Sequence, residues 1–187
     1  MKKAFFQLHF AVFLAGFTAI LGKLIGLNEI LLVCYRLLIT VITLAFLLKI
    51  KNQLIVLPLK EAIKLFSVGL IIAIHWVTFY GSVKYGNVSI AVVCISGSGF
   101  FTALFDPLLF KKKISIGEIS LGGFALLGIY IIFDFHPQYK TAIIFGIISA
   151  IGISLFPIFN KRLLTKYSEN NGRFILWVKI ENDIYSK

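Results

Sequence analysis

Acidic side chains are scarce in this sequence. Eight Asp and Glu stand against nineteen Lys and Arg in 187 residues, and charged residues of either sign make up only 14%. A water-soluble domain needs about 25% to cover its surface. With 59% apolar residues and a mean hydropathy of +0.94, the chain carries more apolar surface than a soluble globule can hide. Cysteine is scarce as well. Cys34 and Cys94 stand alone in apolar stretches, with no CxxC and no Cys/His ligand spacing, which argues against a disulfide framework and a zinc site. There is no GxxxxGK[ST] loop to cradle a nucleotide, and no HExxH, GxSxG or acidic pair at catalytic spacing. No enzyme, cofactor or catalytic residue is expected.

What the sequence has is long apolar runs. A hydrocarbon core takes roughly 20 helical residues to cross, and six stretches approach that length: 4–22, 30–48, 65–83, 88–110, 116–133 and 141–159. None alternates in the manner of a barrel strand, and helices satisfy their own backbone hydrogen bonds in lipid. The expected fold is all-α, a polytopic bundle of about six transmembrane helices in contact with the lipid bilayer. The opening Met-Lys-Lys followed by an apolar run imitates a secretory signal, but the run is too long for one and similar segments follow. It is taken as the first, uncleaved span.

The basic excess, which in a soluble chain would point to nucleic acid, falls between the apolar runs and is taken as a topology signal, with no nucleic-acid partner. Twelve Lys and Arg fall on one side (Lys2, Lys3, Lys49, Lys51, Lys60, Lys64, Lys111 to Lys113, Lys161, Arg162, Lys166), and three, Lys23, Lys84 and Lys140, on the other. That bias places the N-terminus in the cytoplasm and the chain in the cytoplasmic (inner) membrane. The longest loop, 49–64, carries a brief apolar patch at 54–57 read as interfacial. No loop can house a soluble domain, so function must lie among the helices. After Lys166 the composition turns polar, and 167–187 reads as an interfacial or disordered tail.

Ionisable residues in lipid cost about 2.5 to 3.5 kcal/mol at a helix centre on insertion scales, which makes each a candidate for function. Arg36 lies about seven residues into the second helix; it either snorkels outward or offers its fork of donors to an anion in a central cavity. His75, Thr78 and Ser82 share one face of the third helix. That stripe lines a wet cavity, or His75 is simply hydrogen-bonded between helices; a titrating His makes proton coupling conceivable. Ser96-Gly97-Ser98-Gly99, in the middle of the fourth helix, either breaks it or lets a neighbour approach, with Gly99 and Ala103 as a small-residue pair; packing is the preferred reading. Asp106 is expected to pair with a nearby base, and Glu118 to complement the dipole at the start of the fifth helix. Gly117, Gly122, Gly123 and Gly128 in that helix, the Ala15/Ala19 pair in the first and Gly146, Ala150 and Ser154 in the sixth predict close helix contacts.

With the helices placed, the chain resembles the EamA-type members of the drug/metabolite transporter superfamily. The resemblance rests on HWVTFYGSVKYGNVSIAVVCISGSGFFTALFDPLLFKKKIS, on the Glu-led, glycine-spaced GEISLGGFALLGIYIIF, and on Tyr35-Arg36. It implies a secondary, gradient-driven transporter of small metabolites or drugs, built of inverted five-helix repeats around a central cavity. Here 4–134 corresponds to the first repeat and 141–166 to the opening helix of a second. Arg36, His75, Thr78 and Ser96 are the implied cavity residues; only Arg36 matches a family pattern, and the others, with Ser82, rest on position. Since such carriers build their sites between halves, the chain is expected either to pair as a homodimer or to be a truncated product, inactive alone. The other reading is a non-transporting scaffold or assembly subunit.

Overall fold

The computed structural model describes residues 2–51, 58–135 and 137–170. The expected interfacial patch at 54–57 and nearly all of the expected tail lie outside these. Among the described residues every element is helical: α1 Lys2–Leu24, α2 Glu29–Ile50, α3 Leu59–Tyr85, α4 Val88–Ser96, α5 Ser98–Phe110, α6 Ile116–Phe135 and α7 Lys140–Asn170, with a 3-10 turn at Pro137–Tyr139 before α7. Four stretches of the described residues have the length and apolar composition to cross a membrane: Glu29–Ile50, Leu59–Tyr85, Val88–Phe110 and Lys140–Leu163; Ile116–Ile131 is a shorter apolar helix. The protein is a polytopic membrane bundle. Its outer faces confirm the solvent: Leu38, Val41, Ile42 and Phe46 on α2 and Phe5, Phe6, Phe10 and Phe13 on α1 are all more than half exposed. In water such a surface would aggregate; in hydrocarbon it costs nothing.

Local sequence sets the helix ends. Asn28 and Asn87 cap α2 and α4, their side-chain oxygens accepting from Leu31 N at 2.8 Å and Ile90 N at 2.9 Å. Both caps lie at one end of the bundle, termed here the asparagine end. There Lys23 donates to the carbonyls of Val83 and Gly86 at 3.2 and 3.3 Å, placing a cation on the free carbonyls that close α3. At the other end Asp106 pairs with Lys112 at 2.8 Å, as expected from the sequence. Helix α3 begins at Leu59, earlier than its apolar run, because a polar first turn with a Glu61–Lys64 pair at 3.0 Å continues the helix out of the apolar span. Helix α7 likewise runs past its apolar stretch; no glycine interrupts it between Gly152 and its end at Asn170.

The fourth span departs from the expected continuous helix. It is interrupted at Gly97, whose N–H bonds back three residues to Cys94 O at 3.1 Å, as Phe100 N does to Gly97 O. The preferred packing reading of this glycine pair is corrected in part. A side chain at Gly99 would meet open space, so the Gly99/Ala103 pair closes no contact, whereas one at Gly97 would press on Leu126 and Ile129 of α6. In α6 only Gly122 is pinned, against the Phe100 backbone, with a Cβ position 2.5 Å from its Cα; Gly117, Gly123 and Gly128 are open.

Helices α3 and α7 form the heart of the bundle, packing against each other more extensively than any other pair. Within α7, Ala142, Gly146, Ser149, Ala150 and Ser154 recur at helical spacing and are buried. Small residues let the two backbones approach, the mode by which helices associate where lipid removes the hydrophobic drive. About 44% of the apolar span of α7 is buried by protein, against 11% for α2. The helix expected to open a second unit is thus the best-enclosed one, and α1 and α2 lie on the far side of α3.

Candidate functional site

Helix α3 presents two adjacent faces. One carries His75, Thr78 and Ser82, buried at 3%, 8% and 0% exposure, and it meets α7. His75 Nδ1 lies 2.9 Å from both the carbonyl and the hydroxyl oxygen of Ser149. A carbonyl only accepts, so Nδ1 carries the ring proton. The Ser149 hydroxyl donates back to the His75 carbonyl at 3.2 Å, which makes an interlocked pair between the helices. Thr78 bonds its own helix at Ile74 O, 2.8 Å, and His75 O, 3.1 Å. Ser82 Oγ is buried without a hydrogen-bond partner among the described residues. The spacing is set by glycine: a Cβ at Gly152 would stand 3.0 Å from His75 Cβ, and one at Gly146 3.1 Å from Ser82 Oγ and 2.5 Å from Cys94 Cβ of α4. This stripe is a closed seam and lines neither of the clefts described below.

The other face carries Trp76 and Tyr80, one helical turn apart. Here Arg36 of α2 enters, donating from Nη1 to the Tyr80 hydroxyl oxygen at 2.8 Å while its guanidinium carbon lies 3.9 Å over the Trp76 ring. Stacking of this kind is worth about 0.5 to 2 kcal/mol, more as water is excluded. Tyr80 and Trp76 lie roughly 7 and 14 Å inside the asparagine end of α3, at 1.5 Å per residue. The guanidinium is held between α2 and the Trp76–Tyr80 face of α3 by these two contacts. Among the described residues no carboxylate pairs with it.

Beside this cluster a cleft of ≈ 380 Å³ opens between α1, α2 and α3. Arg36, Tyr80 and Tyr35 line it with Leu21, Leu32 and Ile39, and Thr18 and Thr40 supply hydroxyls. At its α1 wall Gly22 meets the Tyr80 ring, which occupies the place a side chain would take.

A second cleft, ≈ 500 Å³, lies between α5 and α6, lined by Ser96, Ser98, Thr102, Glu118 and Gly122 among others. Ser96 and Thr102 direct their hydroxyls to their own helix, at Val93 O and Ser98 O. Glu118 at the start of α6 therefore also borders a cleft, beyond the dipole role read from sequence. The sequence-derived candidates fall into three places: Arg36 in the first cleft, Ser96 in the second, and His75, Thr78 and Ser82 in the seam. Sequence reasoning passed over Trp76 and Tyr80. The signal was present as two aromatics four residues apart, on the helix that follows the one bearing a lone Arg. Among the described residues no three of His, Cys, Asp and Glu gather as a metal site would need.

The sequence model of the EamA-like transporter family matches residues 2–134, from the start of α1 to the end of α6. Neither a curated protein nor a solved structure matches the chain.

Proposed function

Because the chain belongs to the EamA-like transporter family, we propose that it serves gradient-driven transport of small metabolites or drugs, alone or as part of a larger carrier, with the cleft between α1, α2 and α3 as the substrate site. The observation that carries this reading is Arg36. An ionisable group within an apolar span is costly, and one that faces a cleft marks a substrate path by default. A volume of ≈ 380 Å³ falls near the small end of the range for small-molecule pockets, about 300 to 1,000 Å³. The lysine-rich end faces the cytoplasm, in keeping with the twelve-to-three distribution of basic residues, and the host is the cell membrane.

The alternative, a scaffold whose helices only pack, draws support from the α3–α7 seam. The two readings differ in whether water reaches Thr40, which lies roughly 16 Å, eleven residues, into α2. The test is a Thr40→Cys substitution in a chain whose exposed Cys34 and buried Cys94 have been replaced. In membrane vesicles a membrane-impermeant thiol reagent should modify it within minutes. A cysteine that stays unmodified until detergent is added would favour the scaffold and remove the carrier reading.

A further inference from the structure

We propose that the Arg36 cleft selects amphipathic monoanions, molecules with one carboxylate or phosphate head on an apolar body. This rests on the reading of that cleft as the substrate site and adds the chemistry of what it takes. The donors of the Arg36 guanidinium lie in its plane and point outward from its edge. Trp76 stacks on the face, with the guanidinium carbon 3.9 Å from the ring centre, and so uses none of them. Tyr80 takes one, at Nη1. The rest of the edge is available to a ligand, and Tyr80, having accepted from Arg36, keeps its own hydroxyl proton to donate.

The surroundings fix the rest. No carboxylate pairs with Arg36 among the described residues, so a bound anion would supply the missing counter-charge, and a carboxylate fits the fork with two parallel bonds. Nor is an acid among the described residues lining the cleft, so no carboxylate there pairs with a ligand's ammonium group, which disfavours cations and zwitterions. The two threonine hydroxyls already donate their protons within their own helices, Thr18 to Leu14 O at 3.2 Å and Thr40 to Arg36 O at 2.8 Å, and so have none to give an anion. Apart from the hydroxyl of Tyr35, the remaining walls, Leu21, Ile25, Leu32 and Ile39 among them, are apolar. One cation in a greasy cleft matches one anion on a greasy body. Two sources present that chemistry, a dissolved organic acid and an anionic lipid whose headgroup reaches in from the bilayer.

The stacked indole is a built-in reporter. With Trp177, the other tryptophan in the sequence, changed to Phe, Trp76 is the sole indole, and a ligand that draws the guanidinium toward itself alters its emission. The protein is placed in phosphatidylcholine nanodiscs and titrated with 3-phenylpropionate, then with its uncharged isostere 3-phenylpropanamide. The acid should give a saturable change, and the amide none at tenfold higher concentration. Arg36→Gln should weaken acid binding at least tenfold, and Arg36→Lys, which keeps the charge but loses the fork, by less. Replacing the lipid with phosphatidylglycerol separates the sources. Emission already shifted before any acid, with more acid then needed or none acting, identifies the lipid phosphate as an occupant of the same anion site; an unchanged titration identifies the dissolved acid.

Equal binding of acid and amide, undiminished binding by Arg36→Gln, or no response to either anion would overturn the proposal. These outcomes leave the carrier reading intact so long as Thr40→Cys is labelled. Failure of that labelling removes the carrier reading whatever the titrations give.

Discussion

On the side of α3 that carries His75 and Ser82, α7 fills the available space down to gaps only glycine can occupy; on the side that carries Trp76 and Tyr80, one residue further round the helix, a cleft remains. The two sides differ in what the opposing helix offers. Helix α7 brings Gly146, Ser149 and Gly152 to α3, so the backbones close and His75 and Ser149 bond across the joint, while Thr78 bonds its own helix and Ser82 Oγ is enclosed without a partner among the described residues. Helices α1 and α2 close on α3 at Ala19 and Gly22 but bring Leu21, Leu32 and Ile39 to the cleft, with one Arg that among the described residues binds the aromatic pair. Small residues make a joint; large residues around a charge make a site. The same helix thus serves as a structural post on one side and a recognition surface on the other.

The strongest way to break this contrast is to fill the joint. Gly146→Leu forces a side chain into the space held by Cys94 Cβ and Ser82 Oγ, at 2.5 and 3.1 Å from the Cβ position. Overpacking of this kind costs about 1 to 3 kcal/mol, occasionally more, and the thermal midpoint in detergent should fall accordingly. An unchanged midpoint would mean that α7 does not lie where described. A milder change tests the polar lock. Ser149→Ala keeps the small size but removes the hydroxyl that bonds the His75 carbonyl, so the loss should be on the order of 0.6 to 2 kcal/mol, the range for interhelical hydrogen bonds in lipid. The ring proton of His75 retains the Ser149 carbonyl, which limits the damage. Least costly to stability is Gly22→Leu on the cleft side. The Tyr80 ring occupies the position of the new side chain and has the open cleft to move into. Reversible unfolding should change by less than about 1 kcal/mol, the low edge of overpacking costs, while the 3-phenylpropionate response of Trp76 disappears. A variant that unfolds as readily as Gly146→Leu would show that the cleft side is packed as tightly as the seam.

How much of this was legible in the sequence follows the same contrast. Apolar length located the helices, four of which among the described residues are long and apolar enough to cross a membrane and a fifth shorter, and the longest overruns come where polar turns continue the helix, as at Leu59 and beyond Phe159. Arg36 was found because a charge in an apolar run is conspicuous on its own. His75, Thr78 and Ser82 were recognised as one face, but a sequence does not say which neighbour covers a face, and a polar stripe looks the same whether water or another helix lies against it. Trp76 and Tyr80 escaped notice for the opposite reason: aromatics are ordinary in membrane helices until a cation is placed over them. The glycines divided likewise. Gly146 and Gly122 are pinned and Gly99, Gly123 and Gly128 are not, a distinction that depends on rotation about the helix axis and not on the residue type.

If the cleft beside Trp76 is a substrate site, that side of α3 is reached by water and charged by Arg36. Quenching of Trp76 emission measures both, in nanodiscs made with Trp177→Phe, using dissolved iodide, dissolved caesium and lipids brominated along their chains as quenchers. A wet cleft holding an unpaired guanidinium predicts quenching by iodide well above that by caesium, with the difference abolished by Arg36→Gln. Efficient quenching by the brominated lipid alone, with both ions excluded, would contradict it.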